Sequence, residues 1–450
     1  MGDLLGVRTT GNATLIAHDG IPVLVTDPWL GNEYSAYFGS WTLGYEIAEE
    51  ARSEISQSKF VWFSHGHPDH LNGESLKHFR GKAVLLPDHY GGRILKGLLS
   101  DNFDVAVMPD RRWMQLSSRI RTMCITTDNQ DAVLLLDVNG RLFINLNDAG
   151  TRHCKRFIQD IARNFKSVTL LALSGYGDAD MINFYDSNGT FVPPKIDLMV
   201  GDQLSNIALS VGATTVSPFS SFHNYQRSDS IWAQEYVTDI DAYSRGINPA
   251  LKFVKAFSFH DCANDETVEI VPVKAKIETK RPEEFGDDWS EGLMPSDLAQ
   301  LENYMRRKER AANILAFVNF RVGNKDNIIR LNGTRDRGIT FEAPRHSLMT
   351  AIDYRIFDDL LIGNFMKTTL HNMQSLYDHG LNQIITKYAD NGGAETETQL
   401  KDYFRHYHEK SGRAWIRENF VTSTSLSIRR LVGQNDSLFR FGRRLYYKMK

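Results

Sequence analysis

The run Ser64-His65-Gly66-His67-Pro68-Asp69-His70 follows directly on the apolar stretch Phe60-Val61-Trp62-Phe63 and brings three imidazoles and a carboxylate together. A strand entering a short loop aims alternate side chains, here His65 and His67, at one point. Asp69 and His70 then fall on the next turn and face a second point nearby. Imidazole nitrogen and carboxylate oxygen hold Zn, Fe or Mn with no thiolate needed. The bland alternative is a solvated polar loop. The order of residue types at the end of an apolar strand instead predicts a fold that delivers a buried strand into a two-metal site.

The rest of the composition sets few limits. The 450 residues allow two or three domains with buried cores. A hydrophobic content of 42% with 24% charged residues is that of an ordinary globular protein. The formal charge of -3 gives no reason to expect nucleic acid as a partner. Cys124, Cys154 and Cys262 are odd in number and widely spaced, which argues against a disulfide framework and a Cys-rich zinc module. The opening residues Met1-Gly2-Asp3-Leu4-Leu5-Gly6 lack the pattern of a secretory leader, and no apolar run is long enough to span a bilayer. A cytoplasmic enzyme is the expectation.

Read along the chain, 14–18 and 22–26 flank Asp19-Gly20 as a hairpin, and 133–138 and 141–145 flank Asn139-Gly140 as a second. Residues 44–57, 93–99 and 152–165 read as helices; 83–87, 168–173 and 211–219 read as strands. Strands interleaved with helices up to residue 265 predict two packed sheets flanked by helices, an α/β, αββα sandwich. The charged, Pro-containing segment 274–288 reads as a linker. The expected division is a metal-binding domain over 1–265 and a mainly helical C-terminal domain over 266–450. In the latter, 295–310 reads as a helix and 314–321 and 328–332 as strands.

One loop cannot supply every ligand of a two-metal site, so later strand ends must carry the remaining donors. Asp148, after the buried strand of the second hairpin, has two oxygens and could bridge two cations about 3.5–4 Å apart; as an alternative it caps a turn. His223, beyond Pro218-Phe219, is a candidate ligand or a packed histidine. Asp128, in Thr127-Asp128-Asn129, is a candidate ligand or an Asx-turn residue, and Asp131 competes for the same role. Asp27, before Pro28, could hydrogen-bond the far nitrogen of a metal-bound histidine. The full ligand set is then His65, His67, Asp69, His70, Asp128, Asp148 and His223, with Asp69 and Asp148 the candidate catalytic carboxylates.

The block His65-Gly66-His67-Pro68-Asp69-His70, with the order hairpin, His cluster, Asn-Gly hairpin, Asp148 and His223, resembles the metallo-β-lactamase superfamily over about residues 8–230. More narrowly, Asp27-Pro28-Trp29-Leu30-Gly31, Gly39-Ser40-Trp41, 131–148, Ser217-Pro218-Phe219 and 357–365 are similar to the C-terminal, metal-binding part of the CMP-N-acetylneuraminate hydroxylase family. That family also carries a Rieske iron–sulfur domain, whose paired Cys and His motifs three isolated cysteines cannot supply. The resemblance therefore implies an external electron donor. It also implies a histidine at the third position of the first metal, where this chain has Thr127-Asp128. Two histidines and a carboxylate form a harder donor set that favours iron, as in diiron oxygenases on this fold.

Three functions follow. The first is an iron-dependent oxygenase acting on a nucleotide-sugar-like or carrier-linked small molecule. The second is a zinc or manganese hydrolase of an ester, amide or phosphodiester, in which the metals lower the pKa of a bridging water. The third is a non-catalytic ligand-binding member of the fold. The loop 174–178 and the C-terminal domain would shape a substrate pocket. The basic, aromatic end of the chain, with Arg429, Arg430, Arg440, Arg443 and Arg444 among Phe439, Phe441, Tyr446 and Tyr447, reads as a solvated helix face or as a contact for an anionic substrate or partner.

Overall fold

The computed structural model describes residues 4–31, 33–173, 181–194, 199–220, 222–333 and 336–412. The loop at 174–180 and the basic C-terminal stretch lie outside the described residues.

Alternation along the strand Ala132–Val138 shows how the layers arise. Ala132, Leu134, Leu136 and Val138 point one way, into a core shared with Leu15, Ala17, Leu24, Trp62 and Leu85 of the facing sheet. Val133 and Leu135 point the other way, against Ile158 and Ala162 of the helix Lys155–Ala162 and Leu204 and Ala208 of the helix Val200–Val211. On the far side of the facing sheet, Ile16, Val25, Val61 and Val84 pack on Ala51 and Ile55 of the helix Glu49–Gln57 and Leu98 of the helix Arg93–Ser100. Helix, sheet, sheet, helix: the fold is an αββα sandwich. Leu134 is fully buried between the sheets. Leu134→Ala is expected to cost about 2–5 kcal/mol through lost transfer and a residual cavity. Urea unfolding at an unchanged m value checks it.

The first sheet has eight strands in the order Glu266–Glu269, Phe257–Asp261, Leu5–Thr10, Leu15–Asp19, Ile21–Thr26, Phe60–Trp62, Ala83–Pro87 and Asp104–Met108. The second has seven: Lys252–Phe253, Thr215–Pro218, Ser167–Ala172, Arg141–Asn147, Ala132–Val138, Ile120–Thr126 and Trp113–Gln115. Both expected hairpins form, and at the second turn Asn139 (φ 52) and Gly140 (φ 85) take the two left-handed conformations such a turn demands. Strands Ile21–Thr26, Phe60–Trp62 and Ala83–Pro87 run parallel, as do Arg141–Asn147, Ser167–Ala172 and Thr215–Pro218. The carboxyl ends of parallel strands are where open sheets place ligands. Asp27, Ser64, Asp148 and Ser220 each follow such an end.

A third sheet, ordered Phe184–Tyr185, Lys367–His371, Gly338–Glu342, Phe317–Val322 and Lys325–Arg330, is packed by the helices Pro295–Arg307, Arg345–Tyr354 and Phe357–Ile362 through Leu301, Phe320, Phe341, Leu348 and Leu360. The strands at 338–342 and 367–371 stand where the sequence predicts mostly helix, and the sheets cross the expected boundary at 265: Glu266–Glu269 lies in the first sheet and Phe184–Tyr185 in the third. The expected helix at 44–57 starts only at Glu49, because Gly44 donates to Phe222 O and Tyr45 bridges to Lys274. The helix expected over 295–310 breaks at Lys308, whose buried ammonium lies 2.7 Å from Asp390 Oδ1. The segment 274–288 is tied along the sandwich: Ser228 N donates to Lys280 O, Lys280 N to Gln226 O, and buried Asp287 pairs with Arg227. Contact between the units is close enough that a Cβ at Gly91 (φ +81) would lie 2.5 Å from Gly392 O. Among the described residues no helix is long and apolar enough to cross a membrane.

Candidate metal centre

The short strand Phe60–Trp62 is parallel to both neighbours, so its exit falls beside Asp27 at the exit of Ile21–Thr26. Asp27 takes a left-handed φ of 40°, and its Oδ1 accepts the Ser64 amide at 2.7 Å. This pins the start of the His loop. Opposite, the bulge between Asn145 and Asn147, with Asn147 at φ 42°, turns Asp148 toward the same space. Ser220, at φ 88°, donates its hydroxyl to Asp148 Oδ1 at 2.6 Å. Three non-glycine residues in left-handed backbone around one cluster is strain of the sort that concentrates at functional sites.

His65, His70 and Asp148 each offer a donor atom, all within 4.8 Å of one another. Asp148 Oδ2 lies 3.3 Å from His70 Nε2 and 4.0 Å from His65 Nε2. Asp69 Oδ2 lies 3.5 Å from His70 Nε2, while its Oδ1 accepts the Tyr37 hydroxyl at 2.5 Å. His67 joins through Nδ1, which lies 2.9 Å from His65 Nε2. His223 is buried on the strand His223–Tyr225 with its ring stacked on Trp41 (centroids 3.3 Å apart, planes at 5°), and Trp41 touches Tyr37. Of the loop carboxylates, buried Asp131 acts electrostatically on Lys387 and His67 and repels Asp148. Asp128 is buried, its carbonyl accepts the Tyr403 hydroxyl at 2.6 Å, and its charge acts on Tyr388, Tyr403 and Tyr407.

Burial and neighbouring charges pull the groups of the cluster in opposite directions. Burial raises the Asp69 carboxyl, with His70 opposing and Asp148 reinforcing the rise. Burial works against the Asp148 carboxylate too, but the neighbouring His70 holds it down at about 2. Burial likewise lifts Asp359, beside Asp358, to about 7. Burial pushes His65 well below the ordinary imidazole range, aided by His70 and His67. For His70 burial is outweighed by Asp148 and Asp69, which raise it.

These residues fit a metal. Among the described residues Asp69 Oδ2 and His70 Nε2 are buried without a hydrogen-bond partner, yet they lie 3.5 Å apart beside Asp148. Buried charge is tolerated when it is paired or coordinates a cation. Behind the cluster, His65 Nδ1 lies 2.8 Å from Ser64 Oγ, and His70 Nδ1 lies 3.2 Å from Asp27 Oδ2. Partners of this kind fix the tautomer and ring orientation of metal-binding histidines. Asp27→Asn is expected to lower metal affinity about 10–100-fold, measured by competition with a chromophoric chelator.

Three other groups at the site were not singled out from the sequence: Tyr37, Ser220 and Lys387. Tyr37 sits just ahead of Gly39-Ser40-Trp41, and Ser220 just ahead of His223. Their proximity to those segments was the available signal. Asp358 lies in the block 357–365, noted for its resemblance alone.

No family model matches the chain. Cytidine monophosphate-N-acetylneuraminic acid hydroxylase of Danio rerio is 24% identical over 134 residues, covering 28% of this chain and 22% of that protein. The chain thus spans about a fifth of the length of the curated relatives it matches. Among solved structures, the metallo-β-lactamase fold protein YhfI of Bacillus subtilis is similar at 8% identity, with a TM-score of 0.31 over 49% of this chain and 86% of its own. CmlA, a diiron β-hydroxylase of Streptomyces venezuelae, is similar at 14% identity, with a TM-score of 0.34 over 60% of this chain and 55% of its own. The αββα layering and the strand-end cluster stand on the packing and distances of this chain itself.

Proposed function

We propose that this chain is a binuclear metalloenzyme that uses iron and O₂ to oxidise a small anionic, carrier-linked molecule. The observation that carries the reading is the convergence of His65, His70 and Asp148 at one set of strand ends, with oxygen partners behind the histidines. His65 and His67 would hold one ion and Asp69, His70 and His223 the other, with Asp148 between them. The loop 127–131, Thr-Asp-Asn-Gln-Asp, has carboxylates and no histidine to complete the first ion. That donor set supports iron over zinc or manganese, since harder oxygen ligands shift the preference. Similarity to a hydroxylase named for a cytidine-monophosphate-linked acid supports the substrate class.

Bound iron would supply the site for O₂ activation. The protein's own groups position and move protons. The Tyr37 hydroxyl donates a hydrogen bond to Asp69 and the Ser220 hydroxyl donates one to Asp148, so both carboxylates are held in place. Hydroxylation places one oxygen atom in the substrate and reduces the other to water, which takes two electrons and two protons. A separate electron-transfer protein would deliver the electrons. The test is to load metal-free protein with iron(II) without air, add a reductant and follow O₂ uptake. Iron-dependent uptake that is absent in His65→Ala is expected. Zinc-loaded protein that cleaves an ester or phosphodiester equally well without O₂ would establish the hydrolase reading instead.

A further inference from the structure

His65, His67 and His70 each turn one nitrogen toward the shared space and the other toward an oxygen behind it. For His65 and His70 those oxygens, Ser64 Oγ and Asp27 Oδ2, belong to the sandwich. His67 differs. Its inner atom is Nδ1, facing His65 Nε2, and its outer atom is Nε2, 2.9 Å from Asp358 Oδ2 in the C-terminal unit, 291 residues along the chain. Lys387 Nζ lies 2.9 Å from the same carboxylate oxygen and 3.1 Å from His67 Nε2. Asp358 and Lys387 are both buried.

We infer that Asp358, held by Lys387, is a positioning residue of the metal centre, so that the C-terminal unit completes the site instead of merely covering it. A carboxylate can only accept, so its 2.9 Å contact favours hydrogen on His67 Nε2 against the pull of the Lys387 ammonium at 3.1 Å, which can only donate; hydrogen on Nε2 leaves the Nδ1 lone pair for a metal. The Lys387 ammonium pairs the otherwise isolated Asp358 charge, which the low-dielectric surroundings require. The backbone around Lys387 agrees with a dedicated role. Ile384–Asn391 winds as a π-helix, a form that is rare and recurs at functional sites. Its wide turn sends Lys387 toward Asp358 and Asp390 toward Lys308, both inward.

The inference rests on the metal-binding reading, and the experiment separates the two. Full-length metal-free protein is titrated with cobalt(II), following the visible bands and the dissociation constants. Asp358→Ala is expected to weaken binding about 10–100-fold and shift the bands, while Asp358→Asn, which keeps an acceptor for Nε2–H, recovers most of the loss. Asp358→Ala that binds cobalt with wild-type affinity and spectrum overturns the inference, even if it melts earlier. If Asp358→Ala does not fold, Asp358→Leu, which keeps the bulk and lacks an acceptor, decides: weaker binding with a shifted spectrum supports the role, and wild-type affinity and spectrum overturn it. Wild-type protein that binds no cobalt overturns the metal reading itself.

Discussion

Replacing His70 with alanine is expected to weaken metal binding more than about 100-fold, beyond the 10–100-fold usual for partners behind a ligand. His70 is fully buried, with Asp148 and Asp69 on its inner nitrogen and Asp27 on its outer one. Removing it takes away a donor and leaves three carboxylates facing one another. The metal should therefore also carry stability. A ligand at 1,000 times its dissociation constant adds about 4 kcal/mol to the folded state. Wild-type protein should melt earlier after chelation, whereas His70→Ala should melt at one temperature with or without chelator. Equal sensitivity of both proteins would remove His70 from the centre.

The second large effect is at Arg227, which is fully buried where the sandwich meets the C-terminal unit. Its guanidinium makes two bonds to Asp229, at 2.8 and 3.0 Å, and lies 2.7 Å from Asp287. It also donates to Phe38 O at 2.9 Å and stacks 3.9 Å from the Phe365 ring centre. Arg227→Met would leave the buried Asp287 side chain without its guanidinium partner, with the bonds from Ser347 remaining among the described residues. Breaking a buried pair in this way costs about 3–5 kcal/mol. Phe365 follows Asn364, which bonds Tyr225, and Gly363, which bonds Ser40, so the loss reaches the helix that carries Asp358. Urea unfolding should show the destabilisation, and chelator competition should show weaker metal binding. A change below about 1 kcal/mol would place Arg227 among ordinary surface pairs.

The sandwich was legible because its signals are local. Alternation in 132–138, the Asp-Gly and Asn-Gly turns and the apolar run before His65 each act within a few residues. Asp148 could be placed because a strand end followed by a carboxylate is itself a local pattern. The C-terminal sheet was harder to see. Lys367–His371 is a short, polar strand held by pairing with Gly338–Glu342, and nothing in its own residues demands extension. Helix boundaries moved wherever tertiary contacts won, as at Gly44 and Lys308. The outer partner of His67 comes from 291 residues away, and the block 357–365 gave no physical hint of where Asp358 would point. Asp131 could not be separated from Asp128 by sequence, since both lie in one short polar loop; in the fold the Asp131 charge acts on Lys387 and His67.

The central claim, that the strand-end cluster is a metal centre, is tested most directly by elemental analysis of protein purified without added metal or chelator. Two transition-metal ions per chain, iron foremost, and only traces in His70→Ala are the predicted result. Wild-type protein that emerges without metal, and then takes up none when offered iron, zinc, manganese or cobalt, would contradict it.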